Sequence, residues 1–308
     1  MRHIRSLKNL SLGKTWLTIG VFDGVHLGHQ EILKSLTAGA HRDNATAVVL
    51  SFYPHPAAVL GKRSTIQYLT PPDEKAELLG RLCDVDVLIT HPFDLEVAAL
   101  SPEAFIGKIR QHLDLQKLFV GYDFALGKNR VGDAAYLTEM GLKDGYAVQQ
   151  FEPLHDKADV ISSSRVRETL ADGDVAAANK LLGHPYSLVG DVVHGDGRGR
   201  KINIPTANIE VSPEKAIPAN GVYACYVYVD GVKHSAVTNV GIRPTFTPDK
   251  AEANIEAHLL DFDRDLYGQT LRLEFIEHLR PEKKFNGVDE LISQIHADIK
   301  KSREILIK

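Results

Sequence analysis

Cysteine is scarce in this chain of 308 residues: only Cys83 and Cys225 occur, far apart and in apolar surroundings. Both read as buried thiols acting as small hydrophobes, and a disulfide framework is excluded. An excess of positive charge is also missing. Lys and Arg number 36 against 40 Asp and Glu, for a formal net charge of −4. Bulk electrostatics therefore give no ground for nucleic-acid binding. No apolar run approaches the ~18 residues of a spanning helix. The opening residues, MRHIRSLKNL, lack the apolar centre of a signal peptide. The expectation is a cytoplasmic protein with neither membrane nor nucleic acid as partner; no pattern sets an oligomeric state. The apolar content, 44%, is ordinary for a globular chain, and the length allows two domains.

The chain is organised around Leu17 to Leu36, LTIGVFDGVHLGHQEILKSL. Leu17 to Phe22 suits a buried strand, and Asp23 and Gly24 break it. From about His29 a helix is expected, with Ile32, Leu33 and Leu36 at helical spacing. A loop of this kind gathers free backbone N–H groups at the positive end of a helix dipole, where a phosphate binds. His26 and His29 stand at its entrance and can donate to phosphate oxygens while charge grows during nucleotidyl transfer. Gly13-Lys14-Thr15 imitates the end of a P-loop. Lys8 occupies the place of its first glycine and a strand follows, so that reading is rejected.

The rest of the first half alternates. Strands are expected at Ala45 to Phe52, Val85 to Thr90, Lys117 to Gly121 and Val148 to Phe151. Helices are expected at Pro72 to Leu82 and from Ser101, the N-cap, to about His112. This implies a parallel, doubly wound α/β sheet, which binds ligands at the carboxyl ends of its strands. The His26/His29 loop, the Tyr53-Pro54-His55-Pro56 turn and the loop after Gly121 all lie at such ends. Asp123 and Phe124 follow directly after the fourth strand. Further on, Ser162, Ser163 and Ser164 can cap a helix while Arg165 and Arg167 can grip phosphates.

Helix is expected from Arg165 to Leu182 with a break at Asp172-Gly173-Asp174, and Gly183-His184-Pro185 ends it. A domain boundary is placed there, dividing 1–184 from 185–308. Beyond it the pattern is strands: Tyr186 to His194, Val222 to Val229, Lys233 to Val240, Asn254 to Phe262 and Leu271 to His278. Their close spacing suggests a small antiparallel barrel. A closing helix from about Val288 is expected to bury Val288, Leu291, Ile292, Ile295 and Ile299, leaving His296, Lys300, Lys301 and Arg303 in solvent. The loop Gly195 to Lys201, with Gly197, Gly199 and Arg200, reads either as a solvated charged loop or as a phosphate flap. Thr206 and Asn208 present two oxygens on one face of an extended segment, a donor type that suits Mg²⁺. Glu256, in an otherwise apolar strand, reads as an outward-facing carboxylate or as a base for a substrate hydroxyl.

The string Gly20 to His29, GVFDGVHLGH, resembles the His-x-Gly-His nucleotidyltransferase signature in the form carried by prokaryotic FAD synthetases. Phe52 to Pro56, the Gly-x-Asp-Phe-x-x-Gly segment at Gly121, and Ile161 to Arg167 extend the likeness over about 180 residues. Residues 186–308 resemble riboflavin kinase through Pro205-Thr206-Ala207-Asn208, Asn239 to Phe246, Glu256 to Phe262, Leu266-Tyr267-Gly268 and Leu279 to Phe285. The resemblance implies a bifunctional riboflavin kinase/FMN adenylyltransferase that uses ATP in both halves, Mg²⁺ as cofactor, riboflavin as substrate, and FMN and FAD as products. It assigns His26 and His29, with Gly20, Phe22, Asp23, Gly24 and Gly28, to one ATP, and Ser162, Ser163 and Arg167 to the same nucleotide. Phe52, His55, Pro56, Asp123 and Phe124 would face the flavin. In the kinase half Gly197, Gly199, Arg200, Pro205, Thr206 and Asn208 would hold ATP, Thr206 and Asn208 also Mg²⁺, and Arg280 and Phe285 the flavin. Glu256 would be the base.

Two departures stand out. Ser164 replaces the usual Thr and keeps the hydroxyl. Asn203-Ile204 replaces Gly-Phe before PTAN, and Asn is the residue most tolerant of left-handed backbone after Gly. The alternatives are a monofunctional FAD synthetase with a degenerate kinase half and a flavin-binding protein without turnover. Intact His26, His29, Thr206, Asn208 and Glu256 argue against the second, because binding alone has no need of a positioned base.

Overall fold

Runs of aliphatic and β-branched residues, punctuated by Gly, Pro and Asp, fix the strands of both halves. The computed structural model describes residues 1–61, 66–195, 199–202, 204–243 and 252–306, in two compact units, Met1–Ser162 and Ser163–Lys308. In the first unit β1 (Arg2–Ile4), β2 (Leu12–Ile19), β3 (Thr46–Tyr53), β4 (Val87–Pro92), β5 (Leu113–Gly121) and β6 (Ala147–Phe151) form a parallel sheet in the order β1-β4-β3-β2-β5-β6. Its helices are α1 (Leu27–Arg42), the single turn α2 (Pro56–Val59), α3 (Pro72–Cys83), the single turn α4 (Leu95–Ala98), α5 (Pro102–Arg110) and α6 (Ala134–Asp144). A two-residue pair, β7 (His155–Asp156) with β8 (Asp159–Val160), follows. Alternate strand residues feed two cores: Leu17, Ile19, Leu50 and Leu118 pack with Phe105, Ile106 and Leu137, while Val49 and Leu88 pack with Leu33 and Leu79. The sheet is thus covered on both faces, as expected. From β2 the chain passes to β3 on one side and later to β5 on the other, so the topological switch lies at the carboxyl end of β2.

Several boundaries differ from the sequence reading. β2 starts at Leu12, so Gly13-Lys14-Thr15 lies within a strand, and it stops at Ile19. Phe22 is not in the strand: its backbone is left-handed (φ 50°) and it opens a 3₁₀ turn, Asp23–Val25. β5 starts at Leu113, where buried Leu113 and Leu115 alternate with polar neighbours that masked the run. Helix α6 went unread inside a polar stretch. Asp133 caps it by accepting the Tyr136 N–H at 2.9 Å, and Gly145 (φ 83°) closes it.

The second unit opens with α7 (Ser163–Ala171) and α8 (Val175–Leu182), separated at Gly173 (φ 80°) and stopped at Gly183 (φ 72°). The Asn179 side chain pins α8 to the strands beyond it, donating to the Phe275 carbonyl at 2.8 Å and accepting the Tyr186 N–H at 2.7 Å. By packing, this helical pair therefore goes with the second unit, while the change of sequence pattern falls later, at residue 184. Strands β9 (Tyr186–Val193), β10 (Ala207–Val211), β11 (Gly221–Val229), β12 (Val232–Arg243), β13 (Glu252–Leu259) and β14 (Thr270–Arg280) close an antiparallel barrel in the order β10-β13-β12-β11-β14-β9. The β11–β12 hairpin turns on Asp230 (φ 51°) and Gly231 (φ 79°), the positive-φ pair such a turn requires. Tyr186, Leu188, Tyr223, Cys225, Ala236, Ile255, Ala257, Leu273 and Phe275, all buried, fill the interior.

Helix α9 (Val288–Leu306) covers Val222, Ala224, Val237 and Leu279 on the outer face. The expected face is the one that packs, except at its start: Val288 is 59% exposed, and the deepest residues, Asp298, Ser302 and Leu306, lie on or beside that face. Asp298 takes the Arg280 guanidinium, with Nη2 to Oδ2 at 2.8 Å, and Ser302 donates to the Ala236 carbonyl at 3.2 Å. Leu291, Ile292, Ile295 and Ile299 are half-buried, and Arg303 pairs with Asp261.

In α1, Gly39 lies flat against the Trp16 ring, where an added Cβ would overlap the indole. Gly39→Ala gains ~1 kcal/mol of helix propensity but overpacks the core, which costs about 1–3 kcal/mol. We expect net destabilisation of the first unit, read as a lower urea midpoint in the fluorescence of Trp16, the one tryptophan of the chain.

Candidate functional site

The loop between β2 and α1 is built by opposing demands. Gly20 ends the strand, its N–H donating to the Leu50 carbonyl at 3.0 Å. Phe22, Gly24 (φ 80°) and Val25 (φ 44°) then take positive φ in close succession, which turns the chain back on itself. Asp23, 2% exposed, holds that turn from below. Its carboxylate accepts the N–H groups of Leu69 (3.1 Å) and Thr70 (2.9 Å) and the Thr70 hydroxyl (3.2 Å). Gly24 N–H donates to the same hydroxyl at 2.8 Å. Asp23 thus shapes the loop; the sequence signature left its role open.

His26 is the N-cap of α1, its Nδ1 accepting the His29 N–H at 3.4 Å. The two imidazoles stack with centroids 3.6 Å apart, and Phe22 meets His29 edge-on at 5.1 Å. A Cβ on Gly28 would come within 3.3 Å of the His26 ring, so the small residue permits this packing. Burial pushes the His26 pKa down to about 4, against a smaller opposing pull from Asp23. Burial, then His26 and Lys75, holds His29 well below the ordinary histidine range. Both rings are therefore neutral near pH 7 and act as hydrogen-bond partners rather than cations. His29 Nδ1 is buried without a hydrogen-bond partner. Leu27 and Gly28 open α1, where backbone N–H groups have no intrahelical acceptor. An anion here meets the helix N-terminus and two neutral rings.

Lys75 was missed by the sequence reading. It is 2% exposed and donates to the Val21 carbonyl at 2.6 Å and to Ser51 Oγ at 3.1 Å. Burial lowers its pKa to about 8, partly offset by Asp23. The available signal was a cation four residues before Leu79 on the apolar stripe of α3.

At the end of β3, Phe52 packs edge-on against Phe93 (5.2 Å), and His55 caps α2 by accepting the Ala57 N–H at 3.0 Å, with Pro56 in the first turn. At the end of β5, Asp123 is exposed. Its carbonyl accepts from Arg130 at 2.7 Å, and the Phe124 N–H donates to the Gly121 carbonyl at 3.2 Å. Ser162 closes the first unit, whereas Ser163 and Arg167 lie on α7 in the second.

In the barrel, register places Glu256 on β13 directly between Asn208 on β10 and Asn239 on β12. Asn239 in turn faces Val222, and Val222 faces Arg280. These residues follow one row around the outer face of the closed barrel, with Val222 of that row buried under α9. Asn254 Nδ2 donates to Glu256 Oε1 at 2.8 Å, and Thr206 Oγ1 lies 3.5 Å from Oε2. Gly195 and Gly199 leave no room for a Cβ against the Asn208 amide and the Ile204 carbonyl, so the chain on either side of residues 196–198 lies close over the row. Gly197, Asn203 and the Arg200 side chain lie outside the described residues. Pro205 accepts from His258 Nδ1 at 2.8 Å. Arg280 is held by Asp298 and lies 5.7 Å from the Phe285 ring. Among the described residues no three His, Cys, Asp or Glu side chains gather to hold a metal. Thr206, Asn208 and Glu256 instead offer hard oxygen donors of the kind Mg²⁺ accepts while keeping its waters.

A neutral phosphate loop at the switch point of an α/β sheet, joined to a barrel with an outward carboxylate row, defines a two-site phosphoryl-handling architecture. The family model described as FAD synthetase matches residues 8–165, and that described as riboflavin kinase matches residues 182–306. The bifunctional riboflavin kinase/FMN adenylyltransferase of Listeria monocytogenes is 38% identical over 298 residues, spanning 95% of this chain and 92% of the relative. That of Escherichia coli K12 is 37% identical over 309 residues, spanning 99% and 97%. A solved structure described as a macrolide-efflux protein from Streptococcus pneumoniae superposes with a TM-score of 0.87 at 31% identity, covering 98% of each chain. The chain belongs to the bifunctional riboflavin kinase/FMN adenylyltransferase family.

The neutral state of His26 links stability to pH. Its folded pKa, about 4, lies below the unfolded value of 6.5, so its contribution is present above pH 6.5 and is lost as pH falls toward 4. The shift corresponds to roughly 3 kcal/mol. His26→Asn keeps an N-cap acceptor without the titration. We expect its Tm, followed through Trp16, to fall less than that of the parent chain between pH 7 and pH 4.5.

Proposed function

We propose that the chain makes both flavin cofactors in sequence, phosphorylating riboflavin to FMN within residues 185–308 and joining FMN to AMP within residues 1–184. The observation that carries the reading is the neutral His26/His29 pair stacked at the N-terminus of α1, at the switch point of the sheet. In the first reaction the riboflavin 5′-hydroxyl attacks the γ-phosphorus of ATP and loses its proton to Glu256, while the bond to the β,γ-bridging oxygen breaks and ADP leaves. Asn254 holds the other carboxylate oxygen, which fixes the orientation of the base. Thr206 and Asn208 would hold Mg²⁺, which would offset charge on the transferring phosphoryl group. Gly197, Gly199, Arg200 and Pro205 complete the nucleotide side, and Arg280 and Phe285 the flavin side.

In the second reaction an oxygen of the FMN phosphate attacks the α-phosphorus of ATP, and pyrophosphate leaves. The nucleophile is already an anion, so no base is needed. His26 and His29 donate hydrogen bonds from neutral rings, and the helix N-terminus meets the charge that gathers on the five-coordinate phosphorus. Gly20, Phe22, Asp23, Gly24 and Gly28 set that loop. Phe52, His55, Pro56, Asp123 and Phe124 receive the flavin. Among the described residues no helix is long and apolar enough to cross a membrane, and a cytoplasmic location fits the demand for ATP.

Purified protein with riboflavin, ATP and Mg²⁺ should form FMN first and FAD after it, resolved by chromatography over time. His29→Ala should lower FAD formation from FMN by about 10²–10³-fold and leave FMN formation intact. Glu256→Gln should lower FMN formation by about 10²–10⁴-fold while FAD still forms from supplied FMN. Loss of both activities in either variant sinks the two-site assignment.

A further inference from the structure

One short segment touches both substrate-side loops of the first unit. Residues 68–75 lead into and through the first turn of α3. Tyr68, 3% exposed, accepts the His55 N–H on its hydroxyl at 2.7 Å, and its ring lies 5.7 Å from Tyr53 and 6.4 Å from His55. It therefore grips the turn after β3. Leu69 and Thr70 donate to Asp23, and Thr70 Oγ1 accepts from Gly24, so these residues grip the loop after β2. Lys75 grips the same loop one residue before Phe22 and ties it to Ser51 of β3. The segment's hydrogen bonds thus reach β3, the turn after it and the loop between β2 and α1.

We propose that Tyr68, Thr70 and Lys75 are positioning residues for FMN adenylylation, a clasp that sets the distance between the nucleotide loop and the flavin turn. The inference rests on the reading that His26 and His29 meet ATP and that the Phe52–Pro56 turn meets FMN. In-line attack needs the FMN phosphate placed against the α-phosphorus, and a misplacement of about 1 Å can cost 10²-fold. The two loops belong to different strands, and hydrogen bonds between neighbouring strands do not govern the turns beyond them. The clasp supplies that connection through groups that face neither substrate: a buried phenol, a buried hydroxyl and a buried ammonium. Each side can be loosened separately. Tyr68→Phe removes the hydroxyl that accepts from His55, and Thr70→Val removes the hydroxyl shared by Asp23 and Gly24 while two backbone N–H groups still hold Asp23.

The test is steady-state FAD formation by the full chain with FMN and ATP varied independently, alongside FMN formation from riboflavin and a thermal melt. Tyr68→Phe should raise the KM for FMN about tenfold with the KM for ATP unchanged, and Thr70→Val should lower kcat about tenfold. Riboflavin phosphorylation should stay near the parent value, while Tm falls modestly because each variant leaves a hydrogen-bond partner unmatched. A structural role alone would lower Tm without splitting the kinetic constants. Lys75→Met serves as a third variant if Thr70→Val is poorly folded, and should lower kcat in the same way. His29→Ala, measured in parallel, separates the two ways of failing. If it retains FAD formation, the site reading falls and takes the clasp with it. If it is inactive while Tyr68→Phe and Thr70→Val stay within twofold of the parent in every constant, the clasp alone is overturned.

Discussion

The buried carboxylate of Asp23 is the interaction on which the first unit's chemistry depends. A turn in which Phe22, Gly24 and Val25 all take positive φ is unfavourable for two of its three residues. It persists because Asp23, held inside the protein, is satisfied by two backbone N–H groups and a hydroxyl from residues 69 and 70. A buried carboxylate without those donors would cost more than the turn itself. Loop and clasp therefore stabilise each other, and the consequence is exported to α1. With Val25 turned under, His26 falls at the N-cap, Gly28 allows its ring to stack on His29, and the first amides of the helix face outward. The sequence signature lists these residues side by side; the fold makes each the condition for the next.

The barrel solves a different problem. Its interior is filled largely by apolar residues, so the polar groups it offers a ligand stand on the outer face. Register turns that face into a ruler. Asn208, Glu256, Asn239, Val222 and Arg280 sit at one level across successive strands, and α9 closes the far end by taking Arg280 into its buried Asp298. The guanidinium is thereby fixed in direction before any ligand arrives. Asn254 does the same for Glu256. Both charged groups of the row thus have their rotamers set by a neighbour, which favours catalysis by positioning.

Elements with a strong period and clear punctuation were legible from the sequence. The strands from Thr46 and Tyr186, the helix from Pro72 and the break at Gly173 fall where apolar spacing and glycine place them. What was hidden had one physical cause, polar residues doing structural work. Asp114 and Gln116 masked half of β5, and the polar loop before Asp133 masked α6. Asp298 and Ser302, two polar residues, are the deepest of α9 with Leu306, while Val288 at its start stays outside. The site shows the same division. His26, His29 and Glu256 could be named from spacing and resemblance. Tyr68, Thr70 and Lys75 could not, because their partners are backbone groups some 13 to 54 residues away in sequence.

The contrast between the two centres follows from their nucleophiles. A ribityl hydroxyl must lose a proton as it attacks, so a base is wanted; on the proposed reading that base is Glu256, on a half-exposed face and held by Asn254. An FMN phosphate is already ionised and would be repelled by a carboxylate at close range. There the protein offers donors instead, and it keeps Asp23 underneath the loop, where its charge is spent on backbone N–H groups. Neutral imidazoles suit this second task. On the proposed reading they would hold phosphate oxygens without the desolvation cost of two adjacent cations, and burial is what keeps them neutral. The depth of the histidine loop and the exposure of the glutamate row are thus opposite answers to one electrostatic question, namely whether the attacking oxygen brings its own charge.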